Sequence, residues 1–116
     1  MNRDITYLRS IVKYCENIEE AIRTFGNDDE DFLSDVLYQS SCAFSLLQIG
    51  EIVKRLTSEL RLKYSGTEWS DIAKLRDVIS HRYEGINLRL IWEMITSDVP
   101  SLKRDCESIL TELTQS

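Results

Sequence analysis

The sequence is poor in the residues that make turns. One proline, Pro100, and four glycines are spread over 116 residues. An all-β fold, with its many tight turns, is excluded by that scarcity. Histidine occurs once, at position 81. Chemistry that uses an imidazole near neutral pH must therefore use His81. The three cysteines, Cys15, Cys42 and Cys106, are odd in number and far apart. They form neither a disulfide framework nor a zinc pattern, and small core residues in a reducing compartment are expected. There is no His/Cys cluster, no phosphate-binding loop and no Gly-rich dinucleotide motif, so no metal and no cofactor are expected. A cysteine hydrolase would have to draw on His81 alone. Apolar stretches are broken every few residues and the amino terminus is polar, so neither a bilayer span nor a leader is read. A cytoplasmic location is the resulting expectation.

What is present suits one soluble, helical domain over residues 1–116. Hydrophobic residues make up 42% and charged residues 29%, which places the chain among globular proteins rather than disordered ones. The net charge of −6 argues against a nonspecific coat on nucleic acid. That charge is uneven. From Lys54 to Arg89 there are eight basic side chains against five acidic ones, whereas the remainder carries six basic and fifteen acidic. A polyanion would meet the middle of the chain.

Apolar periodicity predicts five helices. Ile5, Leu8, Val12, Cys15, Ile18 and Ile22 recur every three or four residues, one stripe on a helix from about residue 3 to 24. Phe25-Gly26-Asn27 ends it, with Gly26 free to take a left-handed cap. Asn27 or Asp28 caps the next helix, and the run Asp28-Asp29-Glu30-Asp31 suits its positive end better than a metal. From Phe32 to about Lys63 only Gly50 interrupts, so a helix about 45 Å long is expected. Its apolar surface is wider than a small bundle can cover, so part of it is expected to pack on a second copy. Thr67 or Ser70 caps a third helix with Ile72, Leu75 and Ile79 on its core face. Residues 83–87 read as a loop, with Gly85 allowing positive φ. Leu88 to Ile95 makes a short fourth helix. Ser97 or Asp98 before Pro100 starts the last one, with Leu102, Cys106, Ile109, Leu110 and Leu113 inward.

The residues with chemistry cluster on the third helix. On an ideal helix His81 lies about 180° from Ile72, away from the core. Arg76 sits about 140° from His81, so the two make no same-side pair within one chain. Tyr83 falls nearly in line with Arg76, and Arg82 adds a cation. The types suit RNA cleavage. An imidazole exchanges a proton with the ribose 2′-hydroxyl or the leaving 5′-oxygen. A guanidinium forks onto phosphate oxygens. The plain alternative is an exposed histidine on a charged helix end with a half-buried tyrosine.

Arg76, four residues, His81, one residue and Tyr83 match the Arg-x4-His-x-Tyr signature of HepT-like toxins, helical ribonucleases of the HEPN superfamily. Asn2-Arg3-Asp4 resembles the family's opening, and Ile49-Gly50-Glu51-Ile52-Val53-Lys54-Arg55-Leu56 resembles its long second helix. Trp69-Ser70-Asp71-Ile72, Gly85-Ile86-Asn87, Ile91-Trp92 and Val99-Pro100-Ser101-Leu102 follow in order, so the resemblance covers nearly the whole chain. It implies an all-α, HEPN-like bundle and a homodimer, or a higher even oligomer, with the two motifs facing one cleft. A shared cleft would let Arg76 and His81 of two copies line one RNA site. It also implies a toxin silenced by a nucleotidyltransferase antitoxin that adds AMP to Tyr83. The adenylate would set negative charge and bulk beside the cations that hold RNA phosphate. Asp77 stands where the family often has Asn or Asp, and is expected to orient His81 or Arg76. HEPN proteins also include members that do not cut. The alternative is a non-catalytic helical dimer that binds a nucleotidyltransferase partner or a nucleotide.

Overall fold

The computed structural model describes residues 2–81 and 87–115, apart from the side chains of Arg76, Val78, Ser80 and His81. The expected loop over 83–87, including Gly85, therefore lies outside the described residues except for Asn87. Among the described residues every regular element is helical. They are α1 (Asn2–Phe25), α2 (Asp29–Leu33), α3 (Val36–Arg55), α4 (Ser58–Lys63), α5 (Trp69–His81), α6 (Leu88–Glu93), a π turn (Met94–Asp98) and α7 (Val99–Thr114). The result is the expected all-α bundle. No helix among them is long and apolar enough to cross a membrane.

The first helix follows its stripe. Leu8, Ile11, Cys15 and Ile18 are buried along one side of α1. Gly26 then takes a φ of +126°, and its N–H donates to the Ile22 carbonyl at 3.0 Å. Ordinary side chains rarely adopt that φ, and a Cβ at this position would overlap the Asp31 carboxyl group. Gly26→Ala is therefore expected to destabilise the fold by about 1–3 kcal/mol, read as a lowered urea midpoint with an unchanged m-value.

The expected helix over 32–63 is divided in three, and its physical reason is capping. Asp35 accepts hydrogen bonds from the Leu37 and Tyr38 N–H groups at 2.9 and 3.2 Å, which satisfies the first turn of α3. Thr57 accepts from the Leu60 N–H at 3.2 Å and starts α4. The same threonine is held from α1. Its hydroxyl donates to Asp4 Oδ2 at 2.6 Å and its N–H to Asp4 Oδ1 at 2.9 Å. Asp4 is fully buried, so these bonds replace the water its carboxylate gives up. Gly50, the expected point of interruption, is helical and buried.

The carboxyl-terminal part departs from expectation in the opposite sense. The fourth and fifth helices are one continuous rod, widened at Met94–Asp98, where the Val99 N–H reaches the Met94 carbonyl. Pro100 supplies no N–H and would break an α-helical ladder; placed just after a π turn it is carried without ending the helix. The rod begins at Asn87, whose side chain accepts from the Arg89 and Leu90 N–H groups at 3.1 and 3.2 Å.

One core joins α1, α3, α5 and the final rod. Cys42, Leu46, Ile49 and Val53 of α3 meet Ile79 of α5 and Leu102, Cys106 and Ile109 of α7 within it. An aromatic group closes one end. Tyr38 stacks on Phe25 at 5.1 Å, meets Phe32 edge-on at 5.0 Å and donates its hydroxyl to the Gly26 carbonyl at 2.9 Å. Lys103 ties α7 to α1 through Glu19 at 2.8 Å.

Candidate active site

The α5 helix carries three of the candidate residues, Arg76, Asp77 and His81, on one uninterrupted stretch of backbone. Its start is fixed by contacts rather than by the expected caps. The Ile72 N–H donates to the Glu68 carbonyl at 3.1 Å, so Glu68, not Thr67 or Ser70, holds the capping position. Thr67 instead donates its hydroxyl to Asp105 of α7 at 2.8 Å, and Ser70 lies inside the helix. Trp69 is buried, with its indole N–H on the Tyr64 carbonyl at 3.0 Å. Ile79 is buried and Ile72 and Leu75 pack on the core, as the stripe requires. These anchors fix the rotation of the helix that bears the motif.

The side chains of Arg76 and His81, and all of Arg82 and Tyr83, lie outside the described residues. Asp77 is described. It is half exposed and stands 3.8 Å from Lys54 Nζ, which is also part exposed, so the pair links α5 to α3 at the surface. In water such a pair contributes at most about 1 kcal/mol to stability. Its interest is positional, because it sets the Lys54 ammonium against Asp77, the residue next to Arg76 in sequence. In the sequence Lys54 is simply the first cation of the basic middle segment. No motif marks it, since the 23-residue gap to Asp77 is closed only by the packing of α3 on α5.

The other chemically capable groups are accounted for by structure. All three thiols are buried, and burial pushes Cys15 and Cys42 up to about 12 and Cys106 further in the same direction. A thiol held neutral this way is a poor nucleophile at neutral pH. The acidic run at 28–31 opens α2: the Asp28 N–H donates to Asp31 Oδ2 at 3.3 Å, and Asp29 lies 3.5 Å from Arg89. Among the described residues no three His, Cys, Asp or Glu side chains converge as metal ligands.

Comparison with known proteins gives the family. Residues 11–109 match the model of the family described as Ribonuclease HepT-like. That span includes α3, α5 and the whole Arg76 to Tyr83 motif. A protein named "Putative RNase" from Caldanaerobacter subterraneus is 39% identical over 104 residues, covering 90% of this chain and 91% of the relative. One from Methanocaldococcus jannaschii, named "Gamma-glutamylcyclotransferase and putative RNase", is 34% identical over 97% of this chain and 50% of its own length. The "Probable ribonuclease HepT" of Thermococcus cleftensis is 33% identical over 89% of this chain and 92% of its own. No solved structure matches. With most of its length matched by the family model and by near full-length relatives, the chain belongs to the HepT-like ribonuclease family.

Proposed function

We propose that this protein is a metal-independent endoribonuclease that acts as the toxin of a toxin–antitoxin pair. The observation that carries the reading is the placement of Arg76, Asp77 and His81 on one core-anchored helix inside the matched family span. In this reading His81 is the general acid/base and Arg76 steadies the scissile phosphate. The ribose 2′-oxygen attacks phosphorus, the bond to the 5′-oxygen breaks, and a 2′,3′-cyclic phosphate is left. One imidazole cannot take the first proton and give the second in a single concerted step. Two copies facing one cleft would supply two, which is why the reading includes a homodimer. Val36, Leu37 and Phe44 of α3 favour it, being 70%, 72% and 56% exposed, a large apolar surface for a lone subunit. Lys54 and Arg82 would add positive charge along the RNA backbone, offsetting the acidic remainder of the chain at short range. Asp77 would position its neighbours.

Control rests on Tyr83. A nucleotidyltransferase antitoxin would transfer AMP to its phenol oxygen and release pyrophosphate from ATP. The ester would put an anion where RNA phosphate binds.

The test is cleavage by the purified chain. A mixed tRNA and mRNA pool is expected to be cut in excess EDTA, with products ending in cyclic phosphate. Pretreatment with the antitoxin and ATP is expected to stop cleavage by the wild type but not by Tyr83→Phe. Intact RNA at wild-type helicity would instead favour the non-catalytic dimer, and cleavage that requires added Mg²⁺ would overturn the metal-independent mechanism.

A further inference from the structure

We infer that the cavity between α5, the π turn and α7 is a binding site for an organic cation with an apolar body. This cavity holds about 300 Å³, at the lower end of the range that takes small molecules. Its floor is apolar, built from Ile49 of α3, Ile72 and Leu75 of α5 and Leu102 of α7. The rim is acidic: Glu68, Asp71, Asp98 and Asp105 all line it, and among the described residues no Lys, Arg or His does. Asp105 is engaged by the Thr67 hydroxyl at 2.8 Å. Glu68, Asp71 and Asp98 have no ion-pair partner among the described residues, although cations elsewhere on this surface are paired.

Floor and rim together select the ligand. An apolar tail gains about 0.8 kcal/mol per buried methylene, and a cationic head meets the carboxylates of the rim. An anion of the same shape would meet four like charges. The π turn forms part of the wall, since Met94 and Asp98 both line the space. Such turns recur at ligand sites because they displace side chains from the regular helical surface. A second, smaller cavity adjoins it, with Gly66, Thr67 and Asp105 lining both.

The experiment uses octylammonium as the probe, with octanoate and tetramethylammonium as its anionic and tail-less counterparts. Binding is followed by calorimetry and by amide NMR shifts. Saturable binding of octylammonium is expected, with shifts at Gly66, Thr67 and Asp98. Octanoate and tetramethylammonium are expected to bind about tenfold more weakly or worse. Gly66 lines both cavities, has no positive φ, and has nothing within 4 Å of an added Cβ. Gly66→Trp is therefore expected to fold normally, fill the space and weaken binding by about tenfold. The double variant Asp71→Asn/Asp98→Asn tests the rim without filling it, and is expected to erase the preference for octylammonium over octanoate. Equal binding of octylammonium and octanoate to the wild type would overturn the proposal, as would shifts that avoid these residues or binding undiminished in both variants. No RNA enters the measurement, so its outcome is independent of ribonuclease activity.

Discussion

His81→Ala is expected to lower RNA cleavage by about 10²–10⁴-fold, the range usually lost with a general acid or base. The chain has no other histidine to take over the proton transfers. Folding should survive the change. Position 81 is the last residue of α5, and alanine is the best helix former, so the backbone loses nothing there. The anchors that fix α5 are Trp69, Ile72, Leu75 and Ile79, none of which the substitution touches. Helicity and urea midpoint should match the wild type while single-turnover cleavage falls. Added imidazole should restore part of the lost rate, because a small base can enter the space of the deleted ring; a merely structural histidine would give no such rescue. Arg76→Ala should differ in kind, with weaker RNA binding and a shallower dependence of binding on salt, since a phosphate contact is removed. Cleavage by His81→Ala at the wild-type rate would end the mechanism, whatever the family.

The motif was legible in the sequence because it is local. Arg76, Asp77 and His81 need only one helix to be placed, and the stripe of Ile72, Leu75 and Ile79 gives that helix its rotation. The first helix was legible for the same reason, and Gly26 marked its end because only glycine is at ease at that φ. The limits of α3 were not. Thr57 reads as an ordinary polar residue until Asp4, far away in sequence and buried, fixes both its N–H and its hydroxyl. Asp35 and Thr57 are both good capping residues, but a pattern that tracks apolar spacing passes over them. Pro100 misled in the other direction. It signals a helix start in isolation, yet a π turn just before it absorbs the missing N–H and lets the rod run on. Lys54 beside Asp77 depends on how two helices pack, and spacing carries no trace of it. The exposed apolar face of α3 was foreseen in kind, as surface too wide for one subunit. Its exact place was not, because Phe32 and Val36 are four residues apart and would share a side of one unbroken helix, yet only Phe32 is buried.

That face carries the second large effect. Leu37→Glu combined with Phe44→Glu is expected to convert a dimer into a monomer at micromolar concentration. The two residues are seven apart on α3, two helical turns, and so share a side. Phe44 touches Tyr14 of α1 only edge-on, at 6.3 Å between rings, and Leu37 and Phe44 are themselves largely exposed. Neither substitution therefore removes core packing, and the folded monomer should keep its helicity. A twofold interface uses each residue twice. Burial of a leucine or phenylalanine side chain is worth about 1.5–3 kcal/mol, so four such side chains replaced by carboxylates weaken association by several kcal/mol. The dissociation constant should rise on the order of 10³-fold or more, read by sedimentation velocity across a concentration series. Cleavage should fall with the dimer population and recover as protein concentration rises. Activity that persists in a monomer would show that one chain holds a complete site; a wild-type chain that sediments as a monomer would show the same face to be unpaired. Mixing separates these further. If Arg76 and His81 of two copies line one cleft, His81→Ala and Arg76→Ala chains combined should cut RNA faster than either alone but slower than the wild type, because the mixed dimer keeps one of each group and its single imidazole must take and give the two protons in turn. If each chain works alone, the mixture can do no better than the average of its parts, and the geometry that places Arg76 about 140° from His81 on a straight helix would have to be relieved within a single subunit.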